Sequence, residues 1–158
     1  MNNNPKKFIF NWIFYKQLAI GSAPREKNDR SFLSQKKIKS IFCLCSFQEF
    51  PSLEILQKEF EVRSFSLPDH KSKSKMSKDL IVEALKILCS LENHKPIFVH
   101  CNASIERSPI MVLAYLMFRE GYEFNLALDY VMKVHPYTNP LSSQLAILKD
   151  LQDSQFKI

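Results

Sequence analysis

The stretch Ile97-Phe-Val-His-Cys101-Asn-Ala-Ser-Ile-Glu-Arg107-Ser-Pro109 limits the fold more than any other part of the chain. A β-branched and aromatic run, bounded by Pro96, stops at Cys101; Arg107 follows after five intervening residues, and Pro109 to Met117 is apolar throughout. That order predicts strand, loop and buried helix. Pro109 suits a first helical position, where a missing N–H costs nothing, and Ser108 suits the cap before it. The helix start then opens onto Cys101. Its unpaired N–H groups and partial positive charge bind anions and favour thiolate over thiol. Cys101 is read as a charged nucleophile.

The rest of the composition sets outer bounds. With 158 residues, 46% hydrophobic content and 13 Phe, the chain suits one domain over residues 1–158 with a full core and a polar, frayed segment at 1–7. Its 22 Lys and Arg against 16 Asp and Glu leave a formal charge of +6, which suits acidic substrates and nucleic acid equally. Cys43, Cys45, Cys89 and Cys101 form no CxxC pair and have no His cluster beside them in sequence. Neither a disulfide framework nor a metal site is expected, and the reducing cytoplasm is the simplest compartment. Lys6-Lys7, the apolar zone Phe8 to Tyr15 and the small residues Ala19 to Ala23 loosely resemble a signal peptide. That zone is short, interrupted by Asn11 and followed by Lys16-Gln17, so a first strand or interaction segment fits it better. No run approaches the roughly 20 apolar residues of a membrane span.

Along the chain, strands and helices alternate. Leu18 to Gly21 reads as a strand; Asn28 or Asp29 is placed to cap a helix carrying Phe32 and Leu33; Ile38 to Cys45 is a second buried run. Pro51 to Phe60 has helical spacing and Val62 to Leu67 alternates like a strand. A polar loop from Pro68 to Met76 precedes a helix over about Ser77–Leu91, and two more amphipathic segments follow, one with Ala127, Tyr130, Val131 and Val134, the other with Leu141, Leu145 and Leu148. The pattern predicts a single α/β domain with a mostly parallel central sheet flanked by helices, and a ligand site at the carboxyl ends of the strands. Cys101 lies at such an end.

Cys101-x5-Arg107-Ser108, after a hydrophobic strand and His100, resembles the phosphate loop of the cysteine-dependent protein tyrosine phosphatase superfamily. Asp69, 32 positions before Cys101 in a loop preceding a helix, stands where the small dual-specificity branch keeps its general acid. Leu18-Ala-Ile-Gly-Ser22, Ala114-Tyr-Leu116 and Asn139-Pro140 are also similar to that branch, over roughly Leu18 to Leu148. The residues carry the same roles on physical grounds. The loop Asn102, Ala103, Ser104, Ile105, Glu106 and Arg107 must turn its amides toward a phosphate dianion, and Arg107 supplies a planar bidentate clamp. Cys101 would attack phosphorus and form a phosphocysteine without cofactor or metal. Asp69 would protonate the leaving oxygen and then activate water, with Asp79 a distant second choice. Ser108 would hydrogen-bond the sulfur, and His100 would orient the loop. Lys71, Lys73, Lys75 and Lys78 either steer anions toward the site or form a solvated loop.

Two loop positions depart from the branch. Ser104 stands where most members have Gly, at a place needing unusual dihedrals, and Glu106 brings negative charge beside Arg107, so it must point away or pair with a cation. The two also resemble the loop of the rhodanese-fold cell-cycle phosphatases. A loop with no Lys and one Glu is poorly suited to polyphosphoinositides. The resemblance implies a pocket open to phosphotyrosine and phosphoserine or phosphothreonine on a phosphorylated protein partner. Nucleic acid with 5′ phosphates and small phosphometabolites are the alternatives, and rhodanese-like sulfur transfer or phosphate binding without turnover are readings of other classes. Cys45, at the end of a strand, is a candidate redox partner for Cys101, as second cysteines are in several members of the superfamily.

Overall fold

The computed structural model describes residues 7–158; the expectation of a frayed terminus at 1–7 falls, for residues 1–6, outside the described residues. In chain order the elements are β1 (Phe10–Phe14), β2 (Leu18–Gly21), α1 (Lys27–Gln35), β3 (Ser40–Cys43), α2 (Leu53–Gln57), β4 (Glu61–Ser64), α3 (Lys78–Ser90), β5 (Ile97–His100), α4 (Arg107–Phe118), α5 (Phe124–Val134) and α6 (Ser142–Asp153). The strands form one sheet in the order β1-β2-β5-β3-β4. Among the described residues only β1 runs antiparallel, against β2; every other pairing is parallel. This is the expected α/β layer architecture, and Phe8 to Tyr15 contributes its edge strand.

β5 is central, and its sequence shows why. Ile97 and Val99 point into the larger apolar cluster beneath α3 and α4, while Phe98 points into the smaller one with Leu33 of α1 and Leu56 of α2. A strand buried on both faces reads as a continuous apolar run rather than an alternating one. The same logic holds for α4, whose residues Arg107 to Met117 are all buried between the sheet and α3, α5 and α6. Gly21 ends β2 because nothing larger fits: a Cβ there would lie 2.0 Å from the Ile9 carbonyl oxygen and 2.8 Å from the Phe98 ring.

Several boundaries move. α4 begins at Arg107 with Glu106 as its cap, two residues before the expected cap at Ser108. Pro109 is therefore the third helical residue, which it tolerates because the first four N–H groups of a helix have no intrahelical acceptor. α1 starts at Lys27 with Glu26 as cap, and Asp29, instead of capping, accepts the Glu26 N–H at 2.9 Å as the reciprocal half of a capping box. β3, β4 and α2 are shorter than their apolar runs, yet Leu44 N–H still reaches the His100 carbonyl at 2.9 Å beyond the formal end of β3. α3 begins as expected, with the Ser77 hydroxyl accepting from Leu80 N–H. No helix among the described residues is long and apolar enough to cross a membrane.

Candidate active site

The loop from Cys101 to Arg107 joins the carboxyl end of β5 to the start of α4 and is fastened by its carbonyls. The His100 carbonyl accepts from Leu44 N–H (2.9 Å), Asn102 from Ala23 N–H (3.1 Å), Ile105 from Asn139 N–H (2.9 Å) and Glu106 from Ile110 N–H (3.0 Å). The Ser104 carbonyl accepts from His135 Nε2 at 2.8 Å. Among the described residues none of the N–H groups of Asn102 to Glu106 bonds to another backbone carbonyl outside helices and strands. With carbonyls tied outward, the amides are left to face a ligand, which is the arrangement an anion nest requires. A cavity of about 230 Å³ lies there, lined by Cys101, Asn102, Ala103, Ile105, Glu106, Arg107 and, from the opposite side, Asp69, His70 and Lys71.

Cys101 is 3% exposed, and its sulfur lies 3.3 Å from the hydroxyl of Ser108. Ser104 has φ of +59°, the left-handed conformation expected at the usual Gly position. A non-glycine residue held there costs about 1–3 kcal/mol. Its side chain is buried rather than exposed: the hydroxyl lies 3.0 Å from Ser108 Oγ and 3.0 Å from His135 Nε2. His135 was not among the sequence candidates, since a His at the end of a helix carries no catalytic signature.

Glu49 was missed as well. It lies between β3 and α2, 58 positions before Arg107, and grips the guanidinium with two bonds, Nη1 to Oε2 at 2.9 Å and Nη2 to Oε1 at 2.7 Å. Nη1 also donates to the Leu44 and Leu67 carbonyls. Burial alone would lower the Arg107 pKa, but the hydrogen bonds and the negative charge of Glu49 outweigh it and raise it. The same hydrogen bond holds the Glu49 carboxyl below its usual value despite partial burial. Arg107 is thus a pre-set, permanently charged fork.

Asp69 sits across the cavity, with Oδ2 3.8 Å from Arg107 Nη2. Burial pushes its carboxyl up, but the Lys71 N–H (2.9 Å), the Ser72 hydroxyl (3.1 Å) and the Arg107 charge outweigh that and leave it below the usual range. Asp79 lies in the first turn of α3 and does not line this cavity. Glu106 answers its own departure by pairing with His70: its carboxylate contacts the imidazole Nδ1, accepts the His70 N–H at 3.2 Å and accepts Gln144 Nε2 at 3.4 Å. Of the four lysines, Lys71 reaches the cavity, whereas Lys78 is paired with Asp150 at 2.7 Å.

His100 lies between the rings of Phe50 and Phe98, with Nδ1 3.3 Å from the Cys101 carbonyl. Its Nε2 has no hydrogen-bond partner among the described residues and shares a buried cluster with the sulfurs of Cys43 and Cys45, all ligand atoms lying within 4.8 Å of one another. The sequence expectation of no His beside the cysteines is corrected in space, because the parallel register sets Cys43 opposite His100. These three could hold a thiophilic ion; the chemistry of the phosphate cavity does not call on one. Cys45 and Cys101 are both free thiols, and the Cys43 contact together with burial pushes the Cys45 thiol up, so it stays protonated.

This geometry can be set beside known proteins. The family model described as dual specificity phosphatase, catalytic domain, matches residues 18–154. The chain belongs to the dual-specificity phosphatase family. Against the protein-tyrosine-phosphatase MKP1 of Arabidopsis thaliana it is 46% identical over 44 residues, which is 28% of this chain and 6% of that protein. Among solved structures it is similar to Tk-PTP in the active form (TM-score 0.78, 22% identity, covering 91% of this chain and 96% of that one). It is also similar to the human tyrosine phosphatase-like serine/threonine/tyrosine-interacting protein (0.76, 21%, 92% and 97%) and to DUSP15 (0.72, 23%, 90% and 86%). At such identities the dual-specificity phosphatase fold is shared, and the site must carry the argument for function.

Proposed function

We propose that this dual-specificity phosphatase domain hydrolyses phosphate monoesters through Cys101, and that phosphorylated proteins are its substrates. The observation that carries the reading is the loop whose carbonyls are fastened outward around Cys101, with Arg107 held charged by Glu49 at its rim. Phosphate binds the inward amides and Arg107. The Cys101 sulfur attacks phosphorus, forming a P–S bond as the P–O bond breaks, and Asp69 gives its proton to the departing oxygen. Water then attacks phosphorus, loses a proton to the Asp69 carboxylate and displaces the sulfur, which leaves as thiolate beside the Ser108 hydroxyl.

For protein substrates, the support is the surface next to the phosphate cavity. A groove of about 690 Å³ shares Asn102, Ala103 and Ile105 with it and is bordered by Phe8, Arg25 and Tyr137. Ile105 and Tyr137 are 41% and 50% exposed, which suits residues flanking a phosphorylated side chain better than it suits a highly charged metabolite. Reduced cysteines suit a reducing compartment such as the cytoplasm.

The test is hydrolysis of an aryl phosphate with chelator and reductant present, run beside thiosulfate sulfur transfer for wild type, Cys101→Ser and Asp69→Asn. Wild type is expected to release phosphate, Cys101→Ser none, and Asp69→Asn to fail chiefly on poor leaving groups. No phosphate release from wild type would defeat the reading. Ranking phosphopeptides, 5′-phosphorylated RNA and sugar phosphates by kcat/KM tests the substrate class, with phosphopeptides expected first.

A further inference from the structure

We infer that His135, oriented by Asn11, is a positioning residue that holds Ser104 in its left-handed conformation and aims a line of hydroxyl donors at the Cys101 sulfur. The inference rests on the phosphatase reading for its purpose, though not for its geometry. His135 closes α5 and is fully buried, and nothing in the transfer of phosphate touches it. Its surroundings fix its tautomer. Asn11 Nδ2, from β1, donates to Nδ1 at 2.9 Å, so the ring proton stands on Nε2. Burial lowers the His135 pKa, which keeps the ring neutral and this tautomer in place.

From Nε2 the direction of each bond follows. The Nε2 proton faces the Ser104 carbonyl at 2.8 Å and the Ser104 hydroxyl at 3.0 Å, both as acceptors. With its lone pair so engaged, Ser104 Oγ turns its own proton to Ser108 Oγ at 3.0 Å. Ser108, now an acceptor on that side, turns its proton to the Cys101 sulfur at 3.3 Å. Four donors, from Asn11, His135, Ser104 and Ser108, therefore point one way, toward the atom that carries negative charge before attack and again as it leaves. A glycine would adopt this loop shape unaided. Serine needs a reason to stay, and the His135 bonds to both its carbonyl and its hydroxyl supply one. The hydroxyl in turn continues the line that a glycine would interrupt.

The experiment is an epistasis test on Cys101 alkylation and on aryl phosphate turnover. Iodoacetamide labelling of Cys101, followed across pH by mass mapping, is expected to show a higher pH midpoint in His135→Ala and a rate near pH 6 lower by about tenfold, the scale of a directly coupled pair. The fall in turnover should lie mainly in kcat. Adding Ser104→Gly to His135→Ala should recover much of the loss in turnover, because the loop no longer needs holding. It should leave the alkylation midpoint high, because the hydroxyl line stays broken. Unchanged alkylation and turnover in a folded His135→Ala protein would overturn the inference, as would a loss of turnover that Ser104→Gly fails to reduce. Should His135→Ala not fold, Asn11→Leu, which keeps the ring but removes the donor that orients it at Nδ1, must shift the alkylation midpoint in the same direction; no shift overturns the inference. Variants that shift the alkylation midpoint as expected while wild type releases no phosphate would defeat the phosphatase reading alone.

Discussion

Glu49 illustrates how one side chain can set the chemistry of another. It is partly exposed, but its two bonds to a buried guanidinium leave Arg107 charged and aimed. Replacing it by Gln keeps the shape and removes the charge; kcat/KM should fall by about tenfold, the loss of roughly one charge-assisted hydrogen bond. Steady-state kinetics on an aryl phosphate would check this. The depressed Glu49 carboxyl also contributes stability that is present above the ordinary carboxylate value and is lost as pH falls through its lowered folded value. Wild type should therefore lose more of its melting temperature on acidification than Glu49→Gln does. Asp69 carries the opposite consequence. Its carboxyl is also lowered, so the free protein holds it ionised near neutrality, and proton donation must come from the minor protonated form or with a singly protonated substrate. With poor leaving groups, kcat/KM should decline as pH rises through the lowered Asp69 value, and Asp69→Asn should remove that dependence.

At the level of elements, the inner strands β2, β3 and β5 are buried throughout while the edge strands β1 and β4 are partly exposed, and a side-chain cap marks where α3 begins. Ser77 is that cap: its hydroxyl accepts the Leu80 N–H at the start of α3, remote from the reacting atoms. Ser77→Ala should lower stability by about 1 kcal/mol and leave kcat unaltered, as chemical denaturation and turnover together would show. Gly21 sets a stricter limit on β2. A methyl group there meets the Ile9 carbonyl and the Phe98 ring, so Gly21→Ala must push β2 away from one or the other. A lower melting temperature is expected, together with looser protection of the β5 amides by hydrogen exchange.

Across the whole molecule, Glu106 joins three separate pieces: the phosphate loop, the acid loop through His70 and α6 through Gln144. Glu106→Ala should free the segment around residues 69–75, seen as faster hydrogen exchange, and should slow poor leaving groups more than good ones, since only the former need Asp69 in place. The nucleophile, its clamp and the helix behind them were legible in sequence because they are adjacent in the chain and their chemistry dictates residue type and spacing. The α/β alternation was legible for a related reason, since burial on one or two faces writes its own period into the sequence. Asp69 was legible only through resemblance, because its distance from Cys101 in sequence says nothing of its distance in space. Glu49, His135, Asn11 and the meeting of His100 with Cys43 and Cys45 lie on elements whose relative placement depends on register and packing. A sequence determines which groups can donate, accept or attack. Which of them meet is decided by the sheet order and by the helices that cover it, and here that decided how the glycine missing at Ser104 is compensated.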